Sequence, residues 1–373
     1  MRKALRLLLL VKLVSIVTII GLEAALRVFD IPPKSNQIPH PVLNHTWRPG
    51  TTYVHREFEG RGVPAYTHTY NSQAWLEAHD IQQVKPPGTF RVFYLGDSYT
   101  ECTCPMEQSV PRRVEAALRP YFVQKGMTVE VINTGTSSYA PSLYYLLLKA
   151  IVPYEPDLLV IDVDLTDVFD DWLYRSTARF DASGDLIAVP PQSPLTNRFI
   201  RNAQGLRELT PVERALNSAR RHSNLATLLF ALKTVESSPP EPTTKIPDLF
   251  GWCRPQWDDA LRADVEYSES MLRRLVALAA THHIRVALTV VPHLEQFEGR
   301  CSMLPNDAIR ALAAETGTPY LDSWAALNAS LGGEDAANWY IPGDMHFNLA
   351  GYRAWAEAHI TFLLDPRNAL LPR

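Results

Sequence analysis

Apolar positions divide the 373-residue chain into three stretches with different rhythms. In the first, Arg2, Lys3 and Arg6 precede an apolar run from Leu7 to Leu22, broken by Lys12 and closed by Glu23 and Arg27. Ala4 to Phe29 is predicted as one continuous helix. A bilayer-spanning helix needs ~20 apolar residues, so residues 1–29 are expected to be a membrane anchor. Lys12 lies near the basic end, where its ammonium can snorkel to the interface. The second stretch, residues 30–89, is rich in proline and polar residues with no sustained period, which predicts a tether and a wrapping arm.

The third stretch starts at Phe90 and alternates two periods. Short continuous apolar runs at 90–95, 129–133, 158–163, 284–291 and 319–321 read as strands. Between them, 111–122, 142–151, 258–280, 307–316 and 349–364 read as helices. Leu261, Val265, Met271, Leu272, Leu275 and Leu278 favour one side of the long helix at 258–280, and Asn348 is placed to cap the last one. Strands without alternation that alternate with helices imply a parallel sheet covered on both faces. The expected architecture is therefore α/β, with a domain over 90–373 and an insertion at 172–257. That insertion contains a hairpin signal at 180–187, a helix around 224–234 and a Pro/Glu/Thr loop at 238–247. Long insertions in such folds often cover the active site.

Composition narrows the function classes. A hydrophobic share of 46% and a charged share of 20% exclude a disordered chain and a polytopic membrane protein. A formal charge of −4 argues against binding nucleic acid by phosphate neutralisation. The basic residues before the anchor predict a cytoplasmic N-terminus, with the bulk of the chain outside as a single-pass membrane protein. A cleaved signal peptide is the rival, but Leu22-Glu23-Ala24-Ala25 is a poor cleavage site. An exported domain would expose its four cysteines to oxidising surroundings. Cys253 and Cys301 flank a helix–strand unit and are candidates for a bridge, whereas one residue between Cys102 and Cys104 makes a bridge between them awkward. No Cys-x-x-Cys pair suggests structural zinc.

In an open parallel sheet, reactive groups collect beyond the carboxyl ends of the strands. After the first strand stands Gly96-Asp97-Ser98, after the second Asn133-Thr-Gly135 to Ser138, after the third Thr166-Asp167, and before the last helix Asp344-Met-His346. A serine hydroxyl needs a base to take its proton and a third group to hold that base in the right tautomer. Ser98, His346 and Asp344 supply these residue types. Other features have plainer readings. Asp162, Asp164, Asp167, Asp170 and Asp171 lack EF-hand spacing and read as a polar strand end. Glu101 reads as a helix-start carboxylate, and Cys102 as structural. Trp252, Trp257, Trp339 and Tyr340 read either as core packing or as the wall of a sugar-binding cleft.

Several segments together resemble the SGNH hydrolases, or GDSL-type esterases, across residues 70–365. They are Asn71-Ser-Gln, Lys85-Pro-Pro-Gly-Thr-Phe-Arg-Val, Leu95-Gly-Asp-Ser-Tyr-Thr-Glu101, Val131-Ile-Asn-Thr-Gly, Pro156-Asp-Leu-Leu-Val and Asp344-Met-His-Phe-Asn-Leu-Ala-Gly351. The anchor, ending in Leu22-Glu-Ala-Ala-Leu-Arg27, is similar to membrane-anchored bacterial members. The resemblance implies a three-layer α/β/α sandwich with five parallel strands, of flavodoxin-like form. It implies Ser98 as nucleophile, His346 as base, Asp344 as its orienting partner, and no metal or organic cofactor. The family's oxyanion hole maps onto the N–H of Ser98 and onto two positions that depart from the family pattern. Ser138 stands where the family has glycine, and Thr166 where it has asparagine, or Asp167 if the register slips by one. Asp97 and Asp167 are the expected supporting carboxylates.

The leading function expected is an ester hydrolase facing outward from the membrane, acting on an O-acylated carbohydrate or envelope polymer. Two rivals share the fold. One is an O-acyltransferase that passes the acyl group from the same triad to a sugar. The other is a non-catalytic envelope-binding protein, motivated by the two altered oxyanion positions.

Overall fold

The computed structural model describes residues 2–29, 31, 36–191, 199–202, 205–220, 222–236 and 248–372. These fall into two compact units, one formed by 1–36 with 192–246 and the other by 37–191 with 247–373. The predicted loop at 238–247 lies outside the described residues.

The larger unit carries a five-stranded parallel sheet. Its strands are β1 (Thr89–Leu95), β2 (Thr128–Asn133), β3 (Leu158–Val163), β4 (Arg285–Val290) and β5 (Tyr320–Leu321). Their spatial order is β5-β4-β3-β1-β2. The helices of this unit used below are α1 (Val110–Val123), α2 (Pro141–Ile151), α3 (Asp167–Arg175), α4 (Asp259–Thr281), α5 (Leu304–Thr316) and α6 (Leu349–Leu364). Each strand buries both faces by alternation. Phe93, Leu95, Leu159, Ile161, Leu288 and Val290 meet Leu143 of α2, Leu272 and Leu275 of α4 and Ile309 of α5. Val92, Tyr94, Leu158, Val160 and Ala287 meet Val114 and Leu118 of α1 and Tyr352 and Trp355 of α6. This is the three-layer arrangement, with both cores shut off from water. Helix starts follow sequence signals: Asp258 accepts from the N–H of Leu261 at 2.8 Å, and Asn348 accepts from those of Ala350 and Gly351 at 2.9 and 3.2 Å.

Two departures from the sequence reading bear on the site. Residues 37–70 are not irregular. They form two antiparallel hairpins, Gln37–His40 with Asn44–Trp47 and Thr51–His55 with Tyr66–Tyr70. Their inward positions include His55, His68 and Tyr70, all buried, so the two-residue period is hidden by polar residue types. Second, the acidic run extends past the polar strand end at Asp162 and Asp164. Asp167, Asp170 and Asp171 lie in α3, and all five aspartates are buried.

The disulfides are Cys253–Cys301 and Cys102–Cys104. The second spans the one-residue spacing that made a bridge look awkward: Cys102 takes a backbone with φ 85°, which folds the chain back on itself. The four aromatic residues read as core or cleft pack against the core, Trp257 only half-buried there. Trp252, Trp339 and Tyr340 are buried, and the Trp252 indole donates to the carbonyl of Leu165 at 2.6 Å.

In the smaller unit, the helix Arg2–Val28 presents exposed Leu, Ile and Val along its length, and Leu9–Val28 is long and apolar enough to cross a membrane. The carboxylate of Glu23 accepts from the Ser223 hydroxyl at 2.7 Å and from the N–H groups of Asn224 and Leu225 at 3.0 Å each. It thereby caps the helix Asn224–Glu236, some 200 residues away in sequence.

Candidate active site

The strand order reverses direction between β1 and β3, since the chain builds outward to β2 on one side and to β4 and β5 on the other. The crevice at that point, beyond the carboxyl ends, is where an open α/β sheet gathers ligands. Leu95 pairs with Ile161, and Val163 with Val290, so the residues following β1, β3 and β4 emerge on one edge.

Ser98 opens a helical turn, Ser98–Glu101, directly after β1. Two glycines allow the crowding there. A Cβ on Gly96 would run into the Thr100 side chain and lie 3.2 Å from the Cβ of Asp162. A Cβ on Gly135 would strike the backbone of Thr100 and Glu101. The turn is further fixed by Asp97, which accepts from the N–H of Tyr99 at 2.9 Å, by Asn133, whose amide donates to the carbonyl of Thr100 at 2.8 Å, and by the Thr100 hydroxyl, which donates to Asp162 at 2.7 Å.

His346 arrives on the loop before α6. Its Nε2 lies 2.8 Å from the Oγ of Ser98, and its Nδ1 lies 2.5 Å from Asp344 Oδ1. A carboxylate only accepts, so Nδ1 carries the proton and Nε2 presents a lone pair to the serine hydroxyl. Burial pushes the Asp344 carboxyl up, but the hydrogen bond and charge of His346 outweigh it and hold the group below its ordinary value. The group is therefore an anion at neutral pH. Ser98 Oγ also lies 3.2 Å from Asp97 Oδ2. Asp97 is pushed well up by burial and by the nearby Asp164, which weakens its claim on the serine proton.

The remaining predicted residues are placed as follows. Ser138 takes a left-handed backbone with φ 64°, the conformation that favours glycine, and its carbonyl accepts from the Tyr174 hydroxyl. The N–H of Thr166 is directed to Asp164 Oδ1 at 2.8 Å, and its hydroxyl toward Asp170 at 3.5 Å. Both donors of Thr166 thus face carboxylates. Asp167 accepts from the Tyr144 hydroxyl at 3.2 Å and from the N–H of Asp164 at 3.1 Å, and is pushed well up by burial and by Asp164. Glu101 does not serve the helix start. It ends the turn, and its carboxylate accepts from the Tyr70 hydroxyl and from Ser137.

Two features escaped sequence reasoning. His293 lies 2.5 Å from Asp164 with both fully buried, and the Tyr99 ring stands between the rings of His293 and His346, at 4.9 and 5.0 Å. Burial raises the Asp164 carboxyl, yet the charge and hydrogen bond of His293 bring it down to about 2. The position of His293 just after β4 is the same strand-end signal that picked out Ser98. The other feature is the hairpin arm. Phe58 lies 6.5 Å from the His346 ring, and Arg61 contributes to holding Asp344 ionised.

Among known proteins, no family model matches this chain, and no curated protein matches it. Solved structures do. An acetylxylan esterase, Axe2, from Geobacillus stearothermophilus has 15% identity and a TM-score of 0.43, covering 74% of this chain and 94% of its own. A putative GDSL-like lipase from Parabacteroides merdae has 14% identity and a TM-score of 0.41, covering 76% of this chain and 96% of its own.

Proposed function

We propose that this chain is a serine esterase of the SGNH hydrolase type, with Ser98 as nucleophile, His346 as general base and Asp344 as the group that orients it. The observation that carries the reading is the serine–imidazole–carboxylate chain, 2.8 Å and then 2.5 Å, beyond the carboxyl ends of a parallel sheet. In the proposed reaction Ser98 Oγ attacks the ester carbonyl as its proton passes to His346 Nε2. The resulting imidazolium is stabilised by Asp344 and returns the proton to the departing alcohol. Water then attacks the acyl-enzyme, again with His346 as base, and frees the acid.

The oxyanion is assigned to backbone N–H donors of Ser98 and Ser138. A left-handed Ser138 keeps the N–H that a glycine would offer there. Thr166 is the weakest of the three candidates, because its donors already face Asp164 and Asp170. Loss of one oxyanion donor costs ~3 kcal/mol, or a factor of 10²–10³ in rate, so this departure concerns efficiency more than reaction class.

The apolar helix Leu9–Val28 and the basic residues ahead of it support an anchored domain outside the cytoplasm. That address motivates an O-acylated carbohydrate or envelope polymer as substrate. The test is hydrolysis of an activated aryl acetate by the full chain in detergent, beside Ser98→Ala. Turnover in the wild type and none above background in the variant is expected. Equal rates in the two would refute the reading, and acyl transfer to an added sugar in preference to water would turn the hydrolase into a transferase.

A further inference from the structure

Away from the serine, the hairpin arm and the nucleophile turn build a second cluster. His55 and His68, on paired strands of the arm, and Glu101, at the end of the Ser98–Glu101 turn, are all buried. One ligating atom from each lies within 4.8 Å of the others. We propose that these three residues form a zinc site that pins the arm to the turn carrying Ser98.

Tautomers point the same way for both histidines. His55 Nδ1 lies 2.7 Å from Glu57 Oε1, so the proton sits on Nδ1 and Nε2 carries the lone pair. His55 is 7% exposed, and its Nε2 has no hydrogen-bond partner among the described residues. His68 Nε2 lies 2.9 Å from the carbonyl of Cys104, so this nitrogen is the donor and Nδ1 presents its lone pair to the cluster. Glu101 Oε1 is 3.8 Å from that Nδ1. Tyr70 does not satisfy the lone pair. Its hydroxyl lies 3.3 Å from His68 Nδ1, but its proton is given to Glu101 Oε1 at 2.7 Å.

An imidazole whose outer nitrogen is held by a carboxylate or carbonyl, with the inner one bare, is the arrangement that orients histidine on a metal. Two imidazoles and a carboxylate suit zinc, with the fourth position left to water as in other three-ligand zinc sites. Zinc bonds of ~2.0–2.1 Å put tetrahedral ligand atoms about 3.3 Å apart, so separations of up to 4.8 Å require the three side chains to draw together on binding. The Glu101 carboxylate accepts from the Tyr70 hydroxyl through Oε1. Its other oxygen accepts from the N–H and hydroxyl of Ser137 at 2.9 and 3.0 Å. An ion here would thus brace the turn next to Ser138 as well. The chemistry at Ser98 takes no step through it.

The experiment is metal analysis of the full chain in detergent after dialysis against zinc, with cobalt substitution as a spectroscopic readout. One zinc per chain, a tetrahedral cobalt spectrum and a melting temperature that rises with zinc are expected. His55→Gln should lose stoichiometric zinc, and Glu57→Gln should weaken binding by about 10–100-fold. Should His55→Gln fail to fold, the cobalt spectrum and Glu57→Gln decide. Absence of stoichiometric zinc from the wild type, or equal binding by the variants, would overturn the proposal in favour of a plain His68 imidazolium–Glu101 ion pair.

Discussion

Asp344 and Asp162 have opposite electrostatics, and each makes a test. Asp344 accepts from His346 Nδ1, so Asp344→Asn offers an amide N–H in place of an acceptor and favours the wrong tautomer. The account expects kcat to fall by about 10³–10⁴ with little change in KM, while Ser98→Ala abolishes turnover; a pH–rate profile and KM measurement check it. Asp162 is fully buried, and burial raises its carboxyl to about 7 despite the hydrogen bond from Thr100. A buried acid with a raised pKa holds its proton more tightly folded than unfolded. Its contribution to stability is therefore complete below the ordinary 3.8 and is lost as pH rises from there to about 7. Asp162→Asn keeps an oxygen for Thr100 and has no proton to lose. Relative to this variant, the wild type should lose up to about 1.4 kcal/mol per pH unit across that window and then level off. Denaturant titrations at about pH 4, 5.5, 7 and 8 measure it, and parallel curves would show that the carboxyl is not held as described. Much at this scale was legible: Ser98 lies in a short polar motif after a strand, and Asp344 and His346 in one before the last helix. What Thr166 donates to was not, because its neighbours' carboxylates turn inward only once α3 is formed.

Among the elements, the sheet strands and long helices were readable because burial on both faces leaves continuous apolar runs and one-sided helical stripes. The elements that escaped are polar in composition. Helix α3 carries Asp167, Asp170 and Asp171, and its apolar side is short. The arm's hairpins hide behind His55, His68 and Tyr70, polar residue types that are nonetheless buried and each hold a side-chain hydrogen bond. The cap that Glu23 places on Asn224–Glu236 joins positions too far apart for any local pattern. Glu23→Ala removes the acceptor for two backbone N–H groups and the Ser223 hydroxyl. Amide exchange in the first turn of that helix should speed up, while turnover of a soluble aryl ester stays as in the wild type. Unchanged exchange at Asn224 and Leu225 would show that the cap contributes nothing.

Taken as a molecule, the larger unit holds its reactive groups by three routes that meet at one crevice. The sheet delivers Ser98, the last helix brings His346 and Asp344 on its leading loop, and the arm lays Phe58 and Arg61 beside them. The central claim is that the Ser98 hydroxyl is activated by His346. A fluorophosphonate probe tests it most directly, because it reacts with an activated serine and leaves a mass that peptide mapping assigns. Labelling of the full chain in detergent should give one adduct, on Ser98, and His346→Ala should slow its formation by about 10³ or more. No adduct on Ser98, or labelling of the His346 variant at the wild-type rate, would contradict the account.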